Sequence, residues 1–126
     1  MSKVWFITGC STGFGRELAK EVLQAGYKAV VTARNTNDIQ DIVAAYPETA
    51  IAVKLDVTKE ADILESVEVA LQKFGNIDVL VNNAGIGYFG AIEESDPAEV
   101  RRMFDINFFG LANMTNAVLP TMRKQK

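Results

Sequence analysis

The stretch Val4-Trp5-Phe6-Ile7-Thr8-Gly9-Cys10-Ser11-Thr12-Gly13-Phe14-Gly15 decides how the rest of the chain is read. A short apolar run passes through a glycine-rich turn into an amphipathic segment, Arg16 to Leu23. Strand, glycine loop and helix in this order form a cradle for nucleotide phosphates. Glycine lets a backbone approach an anion, and the helix start supplies unpaired N–H groups and the positive end of a dipole. Gly9 is expected to make the turn, Gly13 to admit a pyrophosphate, and Gly15 to let the helix lie against the sheet. Ser11 and Thr12 offer hydroxyls to phosphate or ribose. Cys10 reads as a small packing residue, and Phe14 as apolar packing or as cover for a bound cofactor.

The 126 residues, 48% of them hydrophobic, suit one domain with its own core. A net charge of −3 with no Lys/Arg run argues against a nucleic-acid partner. No segment approaches the roughly 18 apolar residues of a membrane span. The single cysteine has no internal disulfide partner, which fits a reducing compartment. With no leader pattern ahead of the first strand, a cytoplasmic location is expected. The absence of histidine excludes His-based triads and argues against a metal site.

Strand and helix alternate along the chain. Strands are expected at Lys3–Thr8, Ala29–Ala33, Ile51–Leu55 and Val79–Asn82, and the stretch Ile77–Val81 is nearly all apolar, as in a strand covered on both faces. Helices are expected from Phe14 to Ala25, ahead of Gly26, and from a cap at Asn37 or Asp38 to Ala45, ahead of Pro47. A third is expected from a cap at Thr58 to Phe74, ahead of Gly75. A last one begins with Asp96-Pro97 as cap and first residue and runs to Arg123, with a kink at Pro120. The pattern predicts an α/β fold: a Rossmann-type, doubly wound parallel sheet of order 3-2-1-4 with no strand after the fourth. Residues 1–126 would then be a partial dinucleotide-binding domain, with strands one and four flanking the switch point where such sheets bind ligands.

The glycine spacing, Gly-x-x-x-Gly-x-Gly behind Thr8, resembles that of the short-chain dehydrogenase/reductase family. Leu55-Asp56-Val57-Thr58, Asn82-Asn83-Ala84-Gly85 and Asp105-Ile106-Asn107 follow in the family's order, and the resemblance covers the whole chain. From Asn82 to Lys124 it is most similar to the branch of 17β-hydroxysteroid and retinol dehydrogenases. The resemblance implies that the loop Gly9–Gly15 holds the pyrophosphate and that Asp56 accepts from the adenine amino group, with Val57 along the ring. Asn83, Ala84 and Gly85 would lie along the cofactor, and Asn107 would order a water in a catalytic proton relay. Asn83 has a second reading, compatible with the first, as a tie between the fourth strand and its neighbours.

The end of the second strand bears on cofactor choice. An NAD site places Asp or Glu here to bond the ribose 2′-OH. This chain has Ala33 and then Arg34, which suits a 2′-phosphate and predicts NADP(H) over NAD(H).

Family catalysis uses a Ser and a Tyr with a Lys four residues on, the Lys lowering a tyrosine pKa that is otherwise about 10. Here Tyr27 is followed at that spacing by Val31, Tyr46 by Ala50 and Tyr88 by Ile92. The expected function is therefore the N-terminal portion of an oxidoreductase that moves a hydride between cofactor and a small carbonyl or secondary alcohol, inactive as this chain alone. A non-catalytic nucleotide-binding module, or a half-domain needing a partner chain, fits the same motifs. Tyr88 and Phe89 read as apolar packing or as lining of a substrate cleft. Phe104, Ile106, Phe108, Phe109, Leu111, Met114, Ala117, Val118, Leu119 and Met122 leave the last helix apolar nearly all round, which predicts a second partner for the excess face. The resemblance implies a homo-oligomer through this helix, and burial against the remainder of a longer chain is the alternative.

Overall fold

The computed structural model describes residues 3–125. Four parallel strands, β1 (Val4–Ile7), β2 (Lys28–Ala33), β3 (Ala50–Lys54) and β4 (Val79–Val81), form one sheet of order β3-β2-β1-β4. The expected sheet is therefore present in the expected order. Helices α1 (Gly13–Gln24), α2 (Gln40–Ala44), α3 (Glu60–Phe74), α4 (Pro97–Phe104) and α5 (Leu111–Lys124) connect or follow the strands.

Side chains alternate across each strand, so the sheet feeds two cores. Val4, Phe6, Val30 and Val53 pack with Ile63, Val67 and Ala70 of α3 and Met114 and Val118 of α5. Ile7, Ala29, Val31 and Ala33 pack on the other face with Ala19, Val22 and Leu23 of α1 and Ile42 of α2. Helix α1 runs with its buried residues on one stripe and hands the chain to Gly26. Gly75 caps α3 in the left-handed conformation at φ 83°.

Several local expectations need correction. The second helix begins as a 3₁₀ turn, Thr36–Ile39, and its cap is Asn35, whose side chain accepts from the N–H of Asn37. The cap position of α3 belongs to Lys59 and not Thr58, because the Thr58 hydroxyl donates to Asp56 instead. The fourth strand stops at Val81, and the Asn82 side chain donates to Thr115. All three residues of β4 are half-buried, so the strand is not covered on both faces. The last helix is not one α-helix: a π-helical segment, Asp105–Gly110, separates α4 from α5, while Pro120 lies inside a continuous α5.

Phe6 is fully buried at the centre of the sheet, whereas Phe89 is 96% exposed. Phe6→Ala is expected to destabilise the chain by about 3–5 kcal/mol in urea denaturation, a large part of the stability of an ordinary domain. Phe89→Ala is expected to leave the midpoint unchanged.

Candidate functional site

The strands' carboxyl ends converge on a cleft of about 450 Å³. Its walls are the loop after β1, the end of β2, the loop after β3, the loop after β4, and one face of α4 and the π segment. The sheet order puts β1 beside β4, so the loops that follow them separate to opposite faces and leave a crevice between.

Two polar side chains hold that crevice in shape. Thr8 Oγ1 accepts from the N–H groups of Asn83, at 3.0 Å, and Ala84, at 2.9 Å. The Asn83 side-chain amide donates back to the Gly9 carbonyl at 2.9 Å. Three hydrogen bonds thus stitch the glycine loop to the loop after β4. Close packing follows from the stitch. Gly9 has φ +68°, and a Cβ there would meet the Ala84 Cα at 2.9 Å. A Cβ on Gly15 would come within 2.3 Å of both the Asn83 amide nitrogen and the Gly9 carbonyl oxygen. Gly15 therefore makes room for the stitch between two loops, which differs from the helix-on-sheet role its spacing suggested. Asn83 is the tie to neighbouring strands that one of its two readings expected.

The other predicted residues fall around this stitch. Gly9, Ser11, Thr12 and Phe14 line the cleft, although Phe14 is 73% exposed and packs in neither core. Gly13 stands in open space at φ +64° and is not among the lining residues. The Thr12 side chain at the cap position of α1 makes no cap hydrogen bond among the described residues, so the first turn presents N–H groups suited to an anion. Arg34 lines the cleft beyond the buried Ala33, and among the described residues its guanidinium has no ion pair. Arg16, by contrast, is held by Asp41 and by the Asp38 carbonyl. Cys10 lies in the core, where burial pushes its thiol up to about 11, which fits packing rather than nucleophilic chemistry.

Asp56 and Val57 line the cleft from the loop after β3. Partial burial acts to raise the Asp56 carboxyl. The hydroxyl and N–H of Thr58, which both donate to it, and the charges of Lys59 and Arg34 outweigh that effect and hold it below its ordinary value. Asp62, which the sequence reading took only as a first-turn acid of α3, accepts from the Asp56 N–H at 3.0 Å and so sets the loop's path.

Asn107 sits in the π segment. Its amide accepts from the Ile86 N–H at 2.9 Å and donates to the Ile86 carbonyl at 2.7 Å, clasping the loop after β4. Gly110, absent from the sequence reading, packs on Val57: a Cβ there would meet the valine's Cγ2 at 2.8 Å. One π segment thereby contacts both loops that form the far wall. Tyr88 accepts from the Asp96 N–H and lies outside the cleft, as does Phe89. A second depression, of about 590 Å³, lies on the other side of α4 between Ile92, Val100, Phe104 and Phe109. It is mostly apolar and shares no lining residue with the cleft, so it is set apart from the site.

A sequence profile described as short chain dehydrogenase matches residues 3–126. The chain belongs to the short-chain dehydrogenase family. A short-chain dehydrogenase from Streptomyces avermitilis superposes with a TM-score of 0.94 at 45% identity, covering 99% of this chain and 46% of that one. A 3-ketoacyl-(acyl-carrier-protein) reductase from Brucella melitensis, complexed with NADH, superposes at 0.92 with 38% identity, over 98% of this chain and 51% of that one. The oxidoreductase BOA17 of Botryotinia fuckeliana is 37% identical over all of this chain and 46% of its own length. This short-chain dehydrogenase sequence thus spans about half the length of the relatives it matches. Among its described residues no helix is long and apolar enough to cross a membrane, and no cluster of His, Cys, Asp and Glu could hold a metal ion.

Two outcomes follow. Thr8→Val keeps the side-chain shape but strands two loop N–H groups, so urea denaturation is expected to show a loss of about 1–3 kcal/mol that Thr8→Ser largely recovers. Equal losses in both variants would show that the hydroxyl is not what holds the loops. For Asp56, a carboxyl lowered in the folded state adds stability above its unfolded value of about 3.9 and loses it as pH falls through the folded value. The melting temperature of Asp56→Asn is therefore expected to fall less steeply than that of the wild type between about pH 6 and pH 3.

Proposed function

We propose that this chain forms the cofactor-binding half of an NADP(H)-dependent short-chain oxidoreductase, which moves a hydride between the cofactor and a carbonyl or secondary alcohol. The observation that carries the cofactor choice is Arg34. It follows the buried Ala33 at the end of β2 and lines the cleft, with no carboxylate at the position where an NAD site bonds the ribose 2′-OH. Among the described residues that guanidinium has no ion pair, and its planar fork of N–H donors suits the charged oxygens of a 2′-phosphate.

In this reading the glycine loop and the uncapped start of α1 take the pyrophosphate, with Ser11 and Thr12 as hydroxyl donors. Asp56 accepts from the adenine amino group, and its lowered pKa keeps it an acceptor at neutral pH. Val57, Ala84 and Gly85 lie along the cofactor, Asn83 shapes its loop, and Asn107, clasped to Ile86, orders a water in the proton relay. When bound, the nicotinamide supplies the hydride, and the residues of this chain bind and orient it. The exposed row Phe104, Phe108, Phe109 and Leu111 supports pairing of two copies through the last helix. The likeness of Asn82–Lys124 to the 17β-hydroxysteroid and retinol dehydrogenase branch supports a secondary alcohol or its ketone as substrate. The single buried thiol supports a reducing, cytoplasmic setting.

Titration with NADPH and with NADH tests the cofactor choice. The wild type is expected to bind NADPH roughly 10- to 100-fold more tightly, the scale of a charge-assisted hydrogen bond, and Arg34→Ala to lose most of that margin. Equal affinities for both cofactors in wild type and variant would sink the assignment.

A further inference from the structure

Adjacent arginines on α4 part company. Arg101 faces the apolar depression with Phe104, Asp105 and Phe109, while Arg102 lines the cleft. One helical turn beyond Arg102, Ile106 lines the same cleft, and Val57 faces it from the loop after β3. Residues four apart on a helix share a face, so Arg102 extends the Ile106 wall outward. Its side chain is exposed and, among the described residues, engages no carboxylate and donates no hydrogen bond. The charges that bear on Asp56 are those of Lys59 and Arg34. The cleft thus has one arginine on its β2 side and another on its α4 side.

The chemistry of the α4 side selects the ligand part. Val57 and Ile106 offer apolar surface for a flat ring, and a guanidinium at the rim of such a surface is suited to lie over a π face. On the cofactor-site reading, the α4 wall would meet a face of the purine, whereas Arg34 would stand beside the ribose. We propose that Arg102 is a further binding residue of this chain, covering the adenine ring against Ile106 and Val57 and contributing equally to adenine nucleotides with and without a 2′-phosphate. The inference rests on the cofactor-site reading given above, and it gives the two arginines separable duties: Arg34 discriminates and Arg102 adds affinity.

Calorimetric titration of the 126-residue chain with 5′-AMP, 2′,5′-ADP and nicotinamide mononucleotide tests it. Arg102→Ala is expected to weaken 5′-AMP and 2′,5′-ADP alike, by about three- to tenfold, and to leave nicotinamide mononucleotide unchanged. Arg102→Lys is expected to recover little, because a point charge does not replace a planar group. Since the exposed Arg102 side chain has no ion pair or hydrogen bond among the described residues, its variants are expected to melt with the wild type, which separates binding loss from unfolding. Unchanged AMP affinity in Arg102→Ala, a loss confined to 2′,5′-ADP, or full rescue by Lys would each overturn the proposal while leaving the cofactor site standing. A wild type that binds neither adenine nucleotide would overturn the cofactor-site reading itself.

Discussion

The Thr8 hydroxyl is the contact on which the site depends. A parallel sheet whose chain turns back at β1 leaves two loops, after β1 and after β4, diverging over a gap. Left to themselves, two such loops have no reason to keep a fixed separation. Thr8 Oγ1 accepts from two consecutive N–H groups of the β4 loop, and Asn83 returns a bond to the Gly9 carbonyl. These bonds satisfy backbone groups that would otherwise be stranded in a partly buried position, and they set the width of the cleft. The absence of side chains at Gly9 and Gly15 follows from the same contact, because the Ala84 backbone and the Asn83 amide occupy the space a Cβ would need.

The wall opposite the glycine loop depends on an irregularity. A regular α-helix from Asp96 to Arg123 would carry its side chains past the loops at a steady rotation. The π segment Asp105–Gly110 departs from the α-helical repeat, and it is here that Asn107 reaches the Ile86 backbone and Gly110 closes on Val57. π-Helical turns are rare and concentrate where function demands a particular side-chain direction. Here one such turn braces both loops of the cofactor-side wall, while α5 continues below into the core through Met114 and Val118.

The fold was legible because its signals are local and repeated. Each strand is short and apolar, each helix carries a buried stripe, and glycines stand at the turns, so the order β3-β2-β1-β4 follows from alternation and the parallel crossover rule. Most of the site was legible too, because Gly9, Ser11, Thr12, Asp56, Val57, Asn83, Ala84 and Gly85 all fall around one cleft. What was misjudged were contests between equivalent partners. Thr58 has the side chain of a helix cap, but Asp56 lies two residues away and captures its hydroxyl. Asn37 and Asp38 resemble caps, but Asn35 reaches the Asn37 N–H first. Of the two readings of Phe14, packing in the core fails, since the ring is exposed, while its place along the cleft suits the other.

The sequence by itself determined the family, the strand order and which residues belong to the glycine loop, because periodicity and spacing along the chain encode them. Tertiary structure alone decided what those residues do to one another. Asn83 and Gly9 are 74 positions apart, and Ile86 and Asn107 are 21 apart, so no local pattern announces that they bond. The π turn, the closeness of Gly110 to Val57 and the separation of Arg101 from Arg102 belong to the same class. Each depends on where a helix comes to rest on the sheet, and that is set by the packing of Met114 and Val118 against α3 and the strands rather than by any neighbour in the chain.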